Sequence, residues 1–187
     1  IAAAIAIPIG LWIGHTGRLR GVAVVSSGAL RALPTLGVLT YLSLFTGIGI
    51  KAAIFTLVLL AVPPLLAGAY AGLGAVDRQT IDAARAIGMT EWQILTKVEV
   101  PLALPLIVGG FRSATLQVVA TATIAAAIPG PGGLGRYLID GLALSDYPRV
   151  VAGSVVVIVL ALVLDGLFVL LQRIAQGSHP SRVLTPA

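Results

Sequence analysis

Apolar residues fall into five long blocks along this chain, and short polar stretches separate the blocks. A transmembrane helix needs about 20 consecutive apolar residues, whereas a helix of a soluble bundle carries polar residues at every helical repeat. The pattern therefore predicts an all-α membrane protein with about five transmembrane helices. The first block is too short for a span, and we expect it to be the truncated end of a longer helix. The blocks cover residues 1–14, 22–45, 52–73, 102–128 and 150–171.

The composition supports membrane insertion and excludes several classes of site. Charged residues make up 10% of the chain, against about 25% in soluble proteins, and the mean hydropathy is +1.04. Because the chain has no cysteine, disulfides, thiol catalysis and thiolate metal sites are excluded. The two histidines, His15 and His179, are far apart in the sequence, so we expect no histidine metal cluster. The net charge of +5 comes from basic residues between the apolar blocks, which favours membrane topology over nucleic-acid binding.

The basic residues also predict the orientation of the chain, because Lys and Arg accumulate on the cytoplasmic side of a membrane. If the blocks cross the membrane in turn, one side holds seven Lys and Arg and the other holds three. We expect one transmembrane domain over residues 1–187, with residues 75–101 and the polar tail 173–187 in the cytoplasm. The seven residues are Arg18, Arg20, Arg78, Arg85, Lys97, Arg173 and Arg182, and the three are Lys51, Arg136 and Arg149.

Residues 75–101 are polar and charged, and their residue order predicts two short helices. Asp77 is positioned to cap the first helix, and Gly88 suits its end. Thr90, with Gln93 three positions later, resembles a capping box at the start of the second helix. Pro101 is predicted to start the next membrane helix, where its missing N–H matters little.

Small residues give this segment a candidate binding face. Ala83, Ala84 and Gly88 would let another surface approach the backbone closely, as when a short helix docks in a groove of a partner. The residues alone leave a simpler interpretation open, namely an ordinary polar loop with two surface helices.

The same segment resembles the EAA loop of ABC importer permeases. That loop reads Glu-Ala-Ala, three residues, Gly, nine residues and then Ile-x-Leu-Pro. Here Asp82-Ala83-Ala84 is followed by Gly88 and by Val98-Glu99-Val100-Pro101, with every spacing kept. Asp replaces Glu, and Val replaces both of the larger aliphatic residues. The resemblance implies the type I ABC importer permease fold. It also implies an ATPase-coupling element that contains Asp82, Ala83, Ala84, Gly88 and Pro101.

Three further stretches resemble the osmoprotectant permeases of the glycine betaine/carnitine/choline group. Residues 31–36, 86–93 and 130–135 resemble stretches of that group that read Gln-Thr-Ile-Pro-Ser-Leu, Gly-Met-Gly-Met-Thr-x-Trp-Gln and Gly-Ala-Gly-Gly-Leu-Gly. Arg31 stands where the group often carries Gln. The resemblance implies a permease subunit in the plasma membrane that translocates glycine betaine, choline, carnitine or a similar quaternary amine.

The resemblance also implies partner proteins, including a separate subunit that hydrolyses ATP. We expect ABC ATPase subunits, a second permease chain in a homo- or heterodimer, an extracellular or lipid-anchored solute-binding protein and membrane lipids, but no nucleic acid. The stretch Gly130-Pro131-Gly132-Gly133 lacks the Lys and the Ser or Thr of a phosphate loop, and no such loop occurs elsewhere in the chain. The chain is therefore predicted to be a transport subunit without enzymatic activity or a bound cofactor, and a separate ATPase would use ATP.

Two alternatives stay open from the sequence. One is a type I ABC importer permease for another small solute, such as an amino acid. The other belongs to a different class, a stand-alone channel or a structural membrane protein, and it gives residues 75–101 no coupling role.

Polar residues inside the blocks are candidates for the transport pathway or for contacts between helices. Arg31 lies in apolar surroundings, where a charge either faces protein or water or snorkels to the interface. For Arg112 snorkelling is favoured over an ion pair between helices or a place in the pathway, whereas Asp165 is too short to snorkel far and is predicted to pair with a basic group. Pro34 predicts a kink in the second block, which would serve gating or packing alone. Gln117 lies on a partly polar face of the fourth block, and such residues line pores or, more often, bridge helices.

Overall fold

The computed structural model describes residues 1–127 and 132–177, and every regular element within these ranges is a helix. Residues 178–187 of the predicted tail and Gly130-Pro131 of the glycine-rich stretch lie outside the described residues. The helices are α1 (Ala2–Thr16), α2 (Arg20–Ala32), α3 (Thr35–Thr46), α4 (Ile50–Gly74), α5 (Arg78–Ala86), α6 (Glu91–Ile94), a π-helical turn (Leu95–Glu99), α7 (Val100–Ala125), α8 (Gly135–Ala143) and α9 (Tyr147–Gly177).

In the part of the chain that the structure describes, three helices are long and apolar enough to cross a membrane. They are α4, the continuous helix Glu91–Ala125 that contains α7, and α9. The bent pair of α2 and α3 forms a fourth candidate span, and α1 is apolar but has only 15 residues. These elements coincide with the five predicted blocks, so the predicted all-α membrane architecture is confirmed.

The second block is sharply broken at Pro34. The axes of α2 and α3 meet at 87°, and Leu33 and Pro34 between them have extended backbone, with ψ angles of 130° and 119°. Pro34 has no N–H to donate, and its ring disfavours a helical conformation at Leu33. The predicted kink is therefore in the right place, but the block is two helices rather than one kinked helix.

The central helix is α4, which packs between α1 and α7 through small residues. A Cβ on Gly68 would lie 2.7 Å from Cα of Gly110 in α7, and a Cβ on Gly10 of α1 would lie 2.5 Å from Cβ of Ala69. Larger side chains at these positions would force the helices apart, so glycine permits their close approach. A buried cluster from the three helices fills the contact, namely Ala6, Ala61, Leu65 and Ala114.

Two features of the C-terminal part differ from the prediction. The connection after the fourth block contains a helix, α8, and a Cβ on Gly135 at its start would lie 2.1 Å from the carbonyl oxygen of Thr123 in α7. The last span, α9, runs to Gly177, so Arg173 and the four residues after it continue this helix and are not yet tail. Gly153 is the single buried residue of α9, and many apolar side chains of this helix are exposed on the outside of the molecule.

The charged residues between the apolar blocks lie at the two ends of the helices, as the alternating topology requires. Arg20, Arg78 and Arg85 line one cleft, and a Cβ on Gly109 near the start of α7 would lie 3.7 Å from Nε2 of Gln172 at the end of α9. At the other end, both Arg136 and Arg149 lie within 4 Å of Asp140. Residues 75–101 and the end of α9 thus share one end of the molecule.

Candidate functional site

The predicted caps fix the local shape of residues 75–101. The side chain of Asp77 accepts a hydrogen bond from the N–H of Gln79 at 3.2 Å and caps α5. Gly88 has a φ of 86°, and its N–H donates to the carbonyl of Arg85 as α5 ends. This left-handed conformation favours glycine. Thr90 and Gln93 form the predicted capping box, with hydrogen bonds of 2.9 and 3.4 Å.

A small core holds this segment together, and Ala84 belongs to it. Ala84 is buried with Val76, Ile81 and Ile94. Ile81 and Ala84 are three positions apart, so they lie on the same inner face of α5. The prediction that Ala84 lies on an exposed face of small residues is therefore wrong, whereas Asp82, Ala83 and Gly88 are exposed.

Large apolar side chains project from the outer surface of the same segment. Ile87 is 79% exposed and Trp92 is 72% exposed, and Ala83 lies one helical turn before Ile87. We refer to Ala83, Ile87 and Trp92 as the apolar loop residues. Sequence reasoning based on small residues missed Ile87 and Trp92, although two large apolar side chains in an otherwise polar segment are a detectable signal.

A surface ion pair joins the two short helices. The guanidinium of Arg85 donates to both carboxylate oxygens of Glu91, at 2.8 and 3.1 Å, and to Asp82 at 3.3 Å. The hydrogen bond to Glu91 and the charge of that carboxylate raise the pKa of Arg85 above its ordinary value. Asp82 is thus placed beside Arg85, on the exposed side of α5.

A histidine connects the segment to the first helix. Nδ1 of His15, at the end of α1, is 2.5 Å from Oε2 of Glu99, and its Nε2 is 3.4 Å from Oε2 of Glu91. Glu99 is 3% exposed, so its carboxylate depends on His15 for its polar contact. The sequence did not indicate this pair, because the two residues are 84 positions apart.

The segment is also continuous with a membrane span. The helix that begins at Glu91 runs without a break to Ala125, and Pro101 lies in the first turn of α7 directly after the π-helical turn Leu95–Glu99. Pro101 thus lies at the start of α7 as predicted, but α7 continues the helix that begins at Glu91. The π-helical turn is wider than an α-helical turn, and it interrupts the regular backbone hydrogen bonding next to Pro101, which has no N–H to donate. α6 and α7 are consequently parts of one continuous helix.

A polar cavity lies at the break between α2 and α3. It has a volume of about 180 Å³ and is lined by Arg31, Leu33, Thr35, Leu60, Pro64, Ser113 and Gln117. The structure thus brings the predicted candidates Arg31 and Gln117 together, with Pro34 at the adjacent break. Arg31, Ser113 and Gln117 are exposed in the single chain. Polar side chains on a membrane helix usually face protein or water, so this face is poorly suited to lipid.

Asp165 lies elsewhere, in an ion pair between two spans. The guanidinium of Arg112 on α7 donates to both carboxylate oxygens of Asp165 on α9, at 2.6 and 2.8 Å. The prediction of a basic partner for Asp165 is confirmed, and for Arg112 the alternative of an ion pair between helices is correct and snorkelling is wrong. Neither residue lines the polar cavity, so this pair joins two helices.

The sequence matches the family described as binding-protein-dependent transport system inner membrane component over residues 6–175. It is 33% identical to the carnitine transport permease protein OpuCB of Listeria monocytogenes, over 87% of this chain and 74% of that protein. It is 32% identical to the glycine betaine/carnitine/choline transport system permease protein OpuCB of Bacillus subtilis (strain 168), over 90% of this chain and 77% of that protein.

A solved structure has the same fold. A chain from inward-facing conformations of the MetNI methionine ABC transporter superposes with a TM-score of 0.80 and 24% sequence identity, over 94% of this chain and 88% of that chain. The predicted fold class is thereby confirmed.

Proposed function

Because this chain belongs to the family of binding-protein-dependent transport system inner membrane components, we propose that it forms half of the membrane pathway of an ATP-driven importer for compatible solutes. It is a multi-pass membrane protein and a transport permease subunit. Its relatives carry names that specify carnitine, glycine betaine and choline transport, and these names support solutes of that class for this chain.

In this proposal residues 75–101 couple the permease to an ABC ATPase. The observation that carries the proposal is the exposure of Ile87 and Trp92 on a segment that is continuous with α7. Exposed aromatic and aliphatic side chains of this size are typical anchors of protein–protein contacts. The ATPase would bind and hydrolyse ATP, and this chain would bind no cofactor.

The proposal also requires a second permease chain and a binding protein. Arg31, Ser113 and Gln117 present a polar face to the outside of the single chain. A second permease chain, identical or related, would cover this face and enclose an aqueous pathway with it. A solute-binding protein outside the cell would deliver the solute to the end of the molecule that holds α8. Crosslinking in native membranes should trap the permease pair.

Two alternatives predict different behaviour. A permease for another solute, such as an amino acid, would share the coupling segment and differ in what is delivered. A stand-alone channel would leave Ile87 and Trp92 exposed to water without a partner, which is unfavourable for such large apolar surfaces. The apolar loop residues therefore favour the importer.

The deciding experiment reconstitutes the permease with its ATPase and binding protein in proteoliposomes. We expect uptake of labelled glycine betaine, carnitine or choline that requires ATP and all three components. Uptake that persists without the ATPase would support the channel. Uptake of amino acids alone would support the other importer.

A further inference from the structure

The polar cavity has one positive charge and no negative charge in its lining. Arg31 is its charged residue, and Thr35, Ser113 and Gln117 add hydroxyl and amide groups that can donate hydrogen bonds. Leu33, Leu60 and Pro64 complete the wall with apolar surface. Such a lining suits a ligand with an anionic group at one end and apolar groups beside it.

Arg31 has no ion pair or hydrogen-bond partner within residues 1–127 and 132–177. Arg112, the other arginine within the apolar blocks, has both of its donor edges used by Asp165. A guanidinium offers donors in a planar fork that matches a carboxylate. Arg31 therefore keeps this fork available at the surface of the cavity.

The start of α3 adds a second source of positive potential. Thr35 is both the first residue of α3 and part of the cavity lining. Pro34 before it provides no side-chain cap, so the first N–H groups of this 12-residue helix have no partner from a capping side chain. Helix N-termini attract anions through these groups and through the helix dipole.

We propose that Arg31, with Thr35, Ser113 and Gln117, binds the carboxylate of the solute as it passes through the pathway. The transported class is then a zwitterion with a carboxylate, such as glycine betaine or carnitine. A quaternary amine without a carboxylate, such as choline, gains nothing from Arg31 and is repelled by its charge. The apolar wall suits the methyl groups of the ammonium end. This inference rests on the proposed importer function and narrows its substrate.

The test measures maximal ATP-dependent uptake in proteoliposomes that hold the complete transporter, with binding protein and labelled solute at saturating concentrations. Arg31→Gln removes the charge from the cavity, and Arg173→Gln removes one charge from an exposed residue of α9 that does not line the cavity. We expect Arg31→Gln to lower the maximal uptake of glycine betaine or carnitine about tenfold or more. We expect Arg173→Gln to stay within about twofold of wild type, and Arg31→Lys, which keeps the charge without the fork, to be intermediate.

Several outcomes would overturn the inference. The first is wild-type uptake by the Arg31→Gln transporter. The second is high choline uptake by the wild-type transporter that falls in Arg31→Gln by the same factor as glycine betaine uptake. A wild-type rate that depends on chloride, with the dependence lost in Arg31→Gln, would assign the cavity to an inorganic anion. Absence of ATP-dependent uptake of all three solutes in wild type would instead refute the proposed function. If Arg31→Gln lowers the yield of assembled complex, the single variants Arg31→Lys and Ser113→Ala are measured instead. Wild-type uptake in both of them would then overturn the inference.

Discussion

Nδ1 of His15 at the end of α1 lies 2.5 Å from the buried Oε2 of Glu99 at the base of α7. The contact joins the first helix to the π-helical turn through which residues 75–101 continue into the membrane. Nε2 of the same imidazole is 3.4 Å from Glu91, so His15 bridges the surface and the interior of this segment. The segment around α6 is thus connected to two membrane helices, directly to α7 and through His15 to α1.

His15→Ala should destabilise the protein. It leaves the carboxylate of Glu99 buried without its donor, and an orphaned buried polar group costs about 1–3 kcal/mol. The measurement is the free energy of unfolding of the purified permease in detergent. Thr16→Ala is the matched control, because Thr16 is exposed and its hydroxyl contacts only nearby backbone, donating to the carbonyl of Trp12 and accepting from the N–H of Arg18. Equal stability of the two variants would contradict a structural role for the His15–Glu99 contact.

Ile87→Asp should weaken binding of the ATPase without disturbing the fold. Ile87 is 79% exposed, so the aspartate meets water in the free permease, but it would be desolvated at a contact. Loss of an apolar anchor of this kind costs about 2 kcal/mol or more, roughly thirtyfold in affinity. Pull-down of the ATPase measures the change. Leu144→Asp, at a residue that is 70% exposed at the opposite end of the molecule, should bind like wild type, and equal binding by both variants would argue against docking at Ile87.

The structure also shows which substitutions test docking of the ATPase without disrupting the fold of residues 75–101. Ala84→Glu would place a charge in the core formed with Ile81 and Ile94. Gly88→Asp would force a side chain onto a φ of 86°, where only glycine is unstrained. Both changes should abolish coupled transport while the spans still insert. They would act by disrupting residues 75–101 as well as any contact with the ATPase, so Ile87 is the more specific site.

Local features of the fold were predictable, because local sequence determines them. The capping roles of Asp77 and Thr90, the end of α5 at Gly88 and the positions of the spans each depend on a few neighbouring residues or on a continuous apolar run. Contacts between distant helices were not predictable in the same way. Nothing near His15 in the sequence specifies Glu99, because their contact depends on how α1 packs against α4 and α7.

For the candidate site as well, local features were predictable from the sequence and contacts between distant residues were not. Pro34 predicted an interruption, but the 87° angle that opens the polar cavity depends on the packing of α2 and α3 against α4. The burial of Ala84 was missed because small residues suit both a close external contact and a tight internal one. In the structure Ala84 makes the internal contact, because it packs against Ile81 and Ile94.

Arg112→Leu and Asp165→Leu should each lower the yield of folded protein, because each leaves its partner as an unpaired charge within the spans. The double variant should recover most of the yield, since replacing both members of such a pair with apolar residues is often neutral or stabilising. Size-exclusion chromatography of the detergent extract, with melting temperature as a second readout, measures the effect. Single variants that behave like wild type would show that the 2.6 and 2.8 Å contacts contribute little.

The orientation of the chain can be tested with single cysteines, because the chain has none of its own. The excess of seven Lys and Arg over three predicts that residues 75–101 face the cytoplasm, and the structure places these residues at the end opposite to α8. Gln79→Cys and Leu144→Cys introduce one exposed thiol at each end. The cysteine-free parent controls for background labelling.

A membrane-impermeant thiol reagent should label Leu144→Cys in intact cells and should label Gln79→Cys only after detergent opens the membrane. The expected contrast follows from both the charge count and the apolar loop residues, since an ATPase in the cytoplasm can reach Ile87 and Trp92 only if this end faces inward. The reverse pattern would place the apolar loop residues outside the cell and remove the proposed route from ATP hydrolysis to α7. Labelling of both thiols in intact cells would mean that the two ends lie on one side, which is incompatible with an odd number of crossings between residues 79 and 144. The single span Glu91–Ala125 lies between these two positions, so the labelling pattern tests directly whether this helix crosses the membrane.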